Sequence, residues 1–495
     1  MTLNASLLWS LMRCMIIASI AVWPVTMIVA RLEASIGVRS RRLRLLLAVF
    51  PFFIPELLIG FNYRLTATQL TSGTSPLTAA IGTEVLYGLL MCSRSIAIGV
   101  ALSVLLPSRH AVNESLHAWN LLRTARPSAT WWTGWLRLKI SSAWQAPLVA
   151  WSVMALFTFQ EFESAALMQI DRHPVSWSVW LFDAHAARLP LLDSMRLIIA
   201  PLCCELLLLC PALCVLRLAQ TVADQSPGLD HVRRARRSVR ESARFAALLT
   251  PGIALFLLWP LINNALPIVR GGIRMLEHAR PEQSFVQVLT SAGFAAGATI
   301  LSMGIAVRLC LAVRNTAVSL FVRLLWLSLL LPGLMGSLVL SLGLLTIFQL
   351  PLLRILYDTW LPMLLGQTLA VLPFAVVVVM LLLRVSDPAA VYSARLLAIS
   401  DHSRIRRKTA AIRWRLTSGR WLLGGLVISH RCFWDVTVAS MLRPVQLEPV
   451  VTRLYNEMHY GRTEALMSLS VLAALAPLVI AGAAMLLTRM ATISR

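Results

Sequence analysis

Long apolar runs separated by short polar or basic stretches recur along this chain from end to end. About 20 apolar residues in a row suffice for an α-helix to cross the hydrocarbon core of a bilayer. The pattern predicts spans at 7–31, 44–62, 80–107, 145–168 and 190–219, then at 245–269, 285–311, 318–348, 357–384, 419–441 and 463–489. The stretches between them differ in kind. Arg39, Arg41, Arg42 and Arg44 follow the first run, whereas 65–78 is neutral and rich in Thr and Ser. The stretch 169–189 carries Trp177, Trp180 and Phe182, as expected of a helix resting at the membrane interface. Residues 220–244 form the clearest linker, polar and basic with Pro and Gly. They divide the chain into 1–219 and 245–495.

The two parts repeat one pattern. Leu121-Leu122 corresponds to Leu396-Leu397, Glu161 to Asp435 and Pro55 to Pro332, at a near-constant offset of about 275 residues. Each repeat holds five spans, an odd number, so 245–269 is needed as an extra crossing to restore the orientation. The expected fold is an all-α polytopic membrane protein of about 11 transmembrane helices. Two parallel five-helix repeats and one added helix make up that number.

Composition agrees with this. Of 495 residues 58% are hydrophobic and 14% charged, with a mean hydropathy of +0.74. A soluble domain carries about a quarter charged residues. The net charge of +23 sits largely on arginines in short loops, and Lys139 and Lys408 are the only lysines. Topology explains that charge better than nucleic acid does, and no nucleic-acid partner is expected. The arginine-rich loops read as cytoplasmic, which puts the N-terminus outside and the C-terminus inside. The first run has no basic segment before it, so no cleavable signal is expected.

Little points to catalysis. The eight cysteines fall in apolar runs without metal-site spacing, although Cys203, Cys210 and Cys214 share one helical face. No metal or cofactor is expected. No GxxxxGK[ST] loop is present and no catalytic constellation emerges, so the chain is not expected to be an enzyme or itself an ATPase.

Charges inside spans are costly and face a cavity or a partner. Glu56, Arg94, Glu161, Glu163, Glu205, His430, Arg431 and Asp435 are such residues. Arg431 and Asp435 stand at i, i+4 and could neutralise each other on one helix face. Glu161 and Asp435, which recur in both repeats, are the best candidates to line a pathway. Pairs that only hold the bundle together are the alternative for every one of these charges.

The loop 387–415 is strongly basic and lies between two spans. Its Tyr392-Ser393-Ala394-Arg395-Leu396-Leu397-Ala398 resembles the cytoplasmic loop of the permeases of binding-protein-dependent ABC importers, with Tyr for the family's Glu and Ala for its Gly. The first-half loop, His117-Ala118-Trp119-Asn120-Leu121-Leu122-Arg123, is a more degenerate copy, and neither loop keeps the family's Leu-Pro. The stretch from Leu442-Arg443-Pro444 through Val451 to Arg462 is similar to the outer segment of the fused, two-half ferric iron and thiamine type.

The resemblance implies a transport subunit of a bacterial inner membrane. Its two cytoplasmic loops would dock two copies of a separate ATPase, and a periplasmic or tethered solute-binding protein would deliver the solute, with ferric iron first among substrates. Tyr455, His459 and Tyr460 could offer hard ligands to ferric iron, but Tyr is also common on interfacial helices. An ion-coupled secondary transporter and a non-transporting permease-like scaffold are the alternatives.

Tags for cysteine labelling at the two ends test the topology. An odd number of spans requires them on opposite sides, N-terminus outside, and labelling of both from one side would refute the eleven-span reading.

Overall fold

A chain that buries itself in lipid has no water to satisfy its peptide groups, and helices solve this within each segment. The computed structural model describes residues 2–33, 38–72, 75–105, 132–136, 144–168, 176–186, 190, 193, 196–218, 239–277, 281–314, 319–385 and 403–476. Among these residues the regular elements are all helical.

Five helices are long and apolar enough to cross a membrane, at Leu3–Leu32, Pro76–Val104, Arg244–Arg274, Gln283–Ala312 and Trp360–Leu383. The number rises to seven if two bent pairs, Leu43–Phe53 with Glu56–Arg64 and Leu324–Leu334 with Ser337–Phe348, each count as one span. Where they are described, the predicted spans are mainly helical, with non-helical breaks inside several of them. They are not eleven straight rods, however. The bent pairs turn by 71° and 109°, and the spans predicted at 145–168 and 419–441 are each interrupted.

The chain forms two compact units. Met1–Ile54, Ile59–Leu181 and Ala200–Trp259 make the first, and Pro55–Leu58, Phe182–Ile199 and Pro260–Arg495 the second. The span predicted to open the second part, 245–269, is thus divided at Trp259, and its first portion belongs to the first unit.

In the first unit α1 (Leu3–Glu33) packs on α4 (Pro76–Leu105) and α5 (Gln145–Gln160), which also pack on each other. The chain between α1 and α4 folds as α2 (Val38–Val49), a 3-10 turn (Phe50–Phe53) and α3 (Glu56–Thr71). After α5 come the short α6 (Glu163–Met168), then α7 (Trp177–Ala186), α8 (Ile199–Leu218) and α9 (Val239–Ile253). On α1 the buried stripe is Cys14, Ile17, Ala18, Ala21, Val25, Ile28 and Leu32, at helical spacing. Its opposite face is apolar as well, with Leu8, Met12, Ile16, Ile20, Trp23 and Met27 exposed. A helix that is apolar all round and buried on one face only is suited to lipid on the other.

The helix after α9 continues through a π turn at Ala254–Leu258 into α10 (Trp259–Glu277). The turn follows Pro251, and the residue five beyond Leu255 is Pro260, which has no N–H to give. The Tyr63 hydroxyl donates to the Leu255 carbonyl instead, at 2.7 Å.

The second unit follows the same order of elements. α11 (Pro281–Arg314) packs on α15 (Trp360–Val385) and α16 (Ser403–Phe433), and these two pack on each other. Between α11 and α15 lie α12 (Leu320–Ser328), α13 (Leu331–Leu334) and α14 (Ser337–Phe348), with Gly336 at φ 82° making the bend. A φ in that range strains any residue with a Cβ. After α16 come the short α17 (Val436–Leu442), the ten-residue α18 (Val450–His459) and α19 (Thr463–Ala476). The buried face of α11 is lined by small residues, Ser291, Ala295, Ala298, Ser302 and Ala306, which let neighbouring helix backbones approach closely.

One glycine tests that packing. A Cβ on Gly333 would lie 2.3 Å from the Leu369 carbonyl oxygen, whereas one on Gly343 would meet nothing within 4 Å. Gly333→Ala should therefore destabilise by about 1–3 kcal/mol through overpacking, and Gly343→Ala should be neutral or stabilising. Thermal unfolding of the detergent-purified variants measures both. Equal melting temperatures would contradict the close packing of α13 on α15.

Candidate functional site

Where a helix ends inside an apolar bundle, the first N–H groups of the next helix have no backbone partner. Each unit has such a break, and an acid closes it. In the first unit α5 stops at Gln160, and Glu161 turns the backbone into an extended conformation (φ −63°, ψ 129°) before α6. Its carboxylate accepts from Ser164 N and from Ala165 N at 3.1 Å, and from the Tyr87 hydroxyl at 2.7 Å. In the second unit α16 stops at Phe433, and Asp435 is the N-cap of α17. Its carboxylate accepts from Val438 N and the Ser337 hydroxyl, both at 3.0 Å.

Asp435 stands directly before its helix, and Glu161 one position further back. The additional methylene of Glu161 covers that extra residue, so both carboxylates reach the third N–H of the following helix. Both are buried. Capping contributes typically about 1 kcal/mol at a surface, and a charged acceptor for a buried N–H contributes more.

The next helix of each unit is also tied down in a matching way. Trp177 N at the start of α7 donates to Ser10 Oγ of α1 at 3.1 Å, and Val450 N at the start of α18 donates to Ser291 Oγ of α11 at 2.9 Å. Trp177 further donates its indole N–H to the Phe159 carbonyl at 2.8 Å.

Besides acting electrostatically on Asp435, Arg431 pairs with a residue outside the i, i+4 expectation. Its Nη1 meets Glu56 Oε1 at 3.0 Å within the second unit. α16 ends at Phe433, so Asp435 lies beyond its last helical turn. Glu56 is buried at the first turn of α3, where a carboxylate is also favoured by the helix dipole.

Arg94 is buried on α4. Glu205 on α8 is fully buried and accepts from Gln160 Nε2 at 3.0 Å. Glu163 lies in the first turn of α6, and His430 is buried on α16 near the Trp434 ring. Tyr455, His459 and Tyr460 do come together: the Tyr455 and His459 rings stack with centroids 6.4 Å apart, and His459 meets Tyr460 edge-on at 6.1 Å. Among the described residues no group of three or more His, Cys, Asp or Glu side chains is placed to hold a metal ion. His117, Ala118, Leu121, Leu122, Arg123, Tyr392, Ala394, Arg395, Leu396, Leu397 and Ala398 lie outside the described residues.

A buried polar group in the first unit was not anticipated from the sequence. Arg13 on α1 is 8% exposed, with its guanidinium 4.8 Å from the centre of the Tyr87 ring. It donates to Ser176 Oγ at 3.2 Å and lies 3.8 Å from the Glu84 carboxylate. Through Tyr87 it borders Glu161, so a cation, a ring and two carboxylates form one cluster. The signal was present, since Arg13 and Glu84 are isolated charges in apolar runs.

Comparison with protein-family models, with curated proteins and with solved structures gives no match for this chain.

The Glu56–Arg431 pair makes a direct test. Arg431→Met leaves the Glu56 carboxylate buried without its cation and should cost about 3 kcal/mol, whereas adding Glu56→Gln should recover much of that loss. A double-mutant cycle on thermal unfolding reads the coupling, and additive effects would show that the pair contributes nothing.

Proposed function

We propose that this protein is the membrane-spanning subunit of an ATP-driven importer, with both halves of the transport pathway fused in one chain. The observation that carries the reading is the repeated unit itself. Three mutually packed helices, with a bent span between the first two and a buried acidic cap where the third breaks, occur twice in one order. Duplicated membrane units of this kind suit alternating access, in which one half rocks against the other around a midplane pathway.

In this reading the basic stretches 108–143 and 387–415, the latter running into α16 from Ser403, would each dock on one of two ATPase subunits. Closure of the ATPases then moves the spans as rigid bodies. The capped breaks at Glu161 and Asp435 sit on the helices that follow those loops, so movement of a loop would be felt first there. A solute-binding protein would deliver the substrate at the opposite face. Ferric iron is the leading substrate because the segment 442–462 is similar to that of iron-type permeases. The chain would then lie in a bacterial inner membrane.

A secondary transporter needs carboxylates free to exchange protons or sodium. Glu56 holds a guanidinium, and Glu161 and Asp435 hold helix N–H groups, so each carboxylate already has a structural partner, which weighs against that alternative.

Affinity purification from the native membrane tests the proposal, which expects an ATPase subunit to copurify. Truncating Leu396 and Leu397 to Ala should cost about 2–4 kcal/mol of that association if both are buried anchors, and the same change at Leu121 and Leu122 should cost less. Equal loss would refute the asymmetry between the loops. No loss from either, or no ATPase at all, would refute the importer.

A further inference from the structure

Three arginines and two glutamates surround one cavity of about 550 Å³ in the second unit. It lies where α10 ends, α11 begins and α18 gives way to α19. Glu464 pairs with Arg274 at 2.6 Å. Glu457 is shared, lying 3.6 Å from Arg453 and 3.8 Å from Arg462. Two cations on one carboxylate leave an unbalanced positive charge at the cavity. Arg453 is held in place by its hydrogen bond to Gln287 Oε1 at 3.1 Å, whereas the side chains of Arg274 and Arg462 remain 69% and 68% exposed.

The position of this charge matters as much as its sign. The apolar span on α10 ends at Arg274, and that on α11 begins at Gln283, so the cavity sits at the edge of the apolar zone. Immediately inside that edge the same helices expose Ile273, Phe285 and Leu289. Cations at the boundary above a bare apolar surface match an anionic phospholipid, phosphate at the arginines and acyl chains along the helices.

We propose that this cavity binds the phosphate headgroup of an anionic membrane lipid. Arg462 and Arg274 are its ligands, and Glu464 competes with the phosphate for Arg274. The inference rests on the membrane character of the chain and not on the importer reading.

Two substitutions that each remove one charge should act in opposite directions. Arg462→Gln balances the cavity and should weaken binding about fivefold, and Glu464→Gln releases Arg274 and should strengthen it by a similar factor. Opposite signs cannot arise from unfolding. The measurement is retention of phosphatidylglycerol by the detergent-purified full chain, read by native mass spectrometry, with phosphatidylcholine and inorganic phosphate as the other arms. Preference for phosphatidylglycerol with the two opposed shifts supports the proposal. Equal retention of phosphatidylcholine, or parallel effects of the two variants, would overturn it. Binding of inorganic phosphate without retention of phosphatidylglycerol would assign the cavity to free phosphate and overturn the lipid site.

Discussion

A broken helix in an apolar environment exposes N–H groups that water cannot reach, and much of this structure follows from how those groups are satisfied. Glu161 and Asp435 accept them at the ends of α5 and α16. These carboxylates stabilise the turn within the bundle and the start of α6 and α17. The later helices α7 and α18 depend on that turn, and the serines of α1 and α11 then receive their first N–H groups. One electrostatic requirement thus organises four elements in each unit.

The same requirement explains why the two units differ in detail while sharing an order. An Asp at the N-cap and a Glu one residue earlier reach the same N–H, so the helix boundaries and the acids repeat at slightly different offsets. Around Glu161 the first unit gathers Tyr87, Arg13 and Glu84, a charged cluster under an aromatic ring. The second unit supports Asp435 with the neutral Ser337 hydroxyl and places its cation, Arg431, on Glu56.

Helical character was legible in the sequence because apolar length is a property of a single segment. The predicted spans are mainly helical where the chain is described, and the pairing of Glu161 with Asp435 and of Pro55 with Pro332 marked the two places where each unit bends or breaks. The role of the acids was less legible. In a continuous span a carboxylate reads as a pathway group; only the end of α5 at Gln160 and of α16 at Phe433 turns it into a cap. The basic loops carry the resemblance to importer permeases, and that resemblance bears on function more than on any described contact.

By itself, then, the sequence determined a multi-span membrane protein, its duplicated order and the positions of its intramembrane charges, since hydropathy and spacing are local. Tertiary structure decided which charges meet. Arg431 takes Glu56 from 375 residues away as well as acting on the neighbour four residues on. Arg13 finds Tyr87 on another helix and Ser176 just before α7, and three arginines gather at one cavity from α10, α18 and the turn after it. Such pairings depend on where helices stop and how closely small residues let them approach, and a linear pattern does not encode either distance.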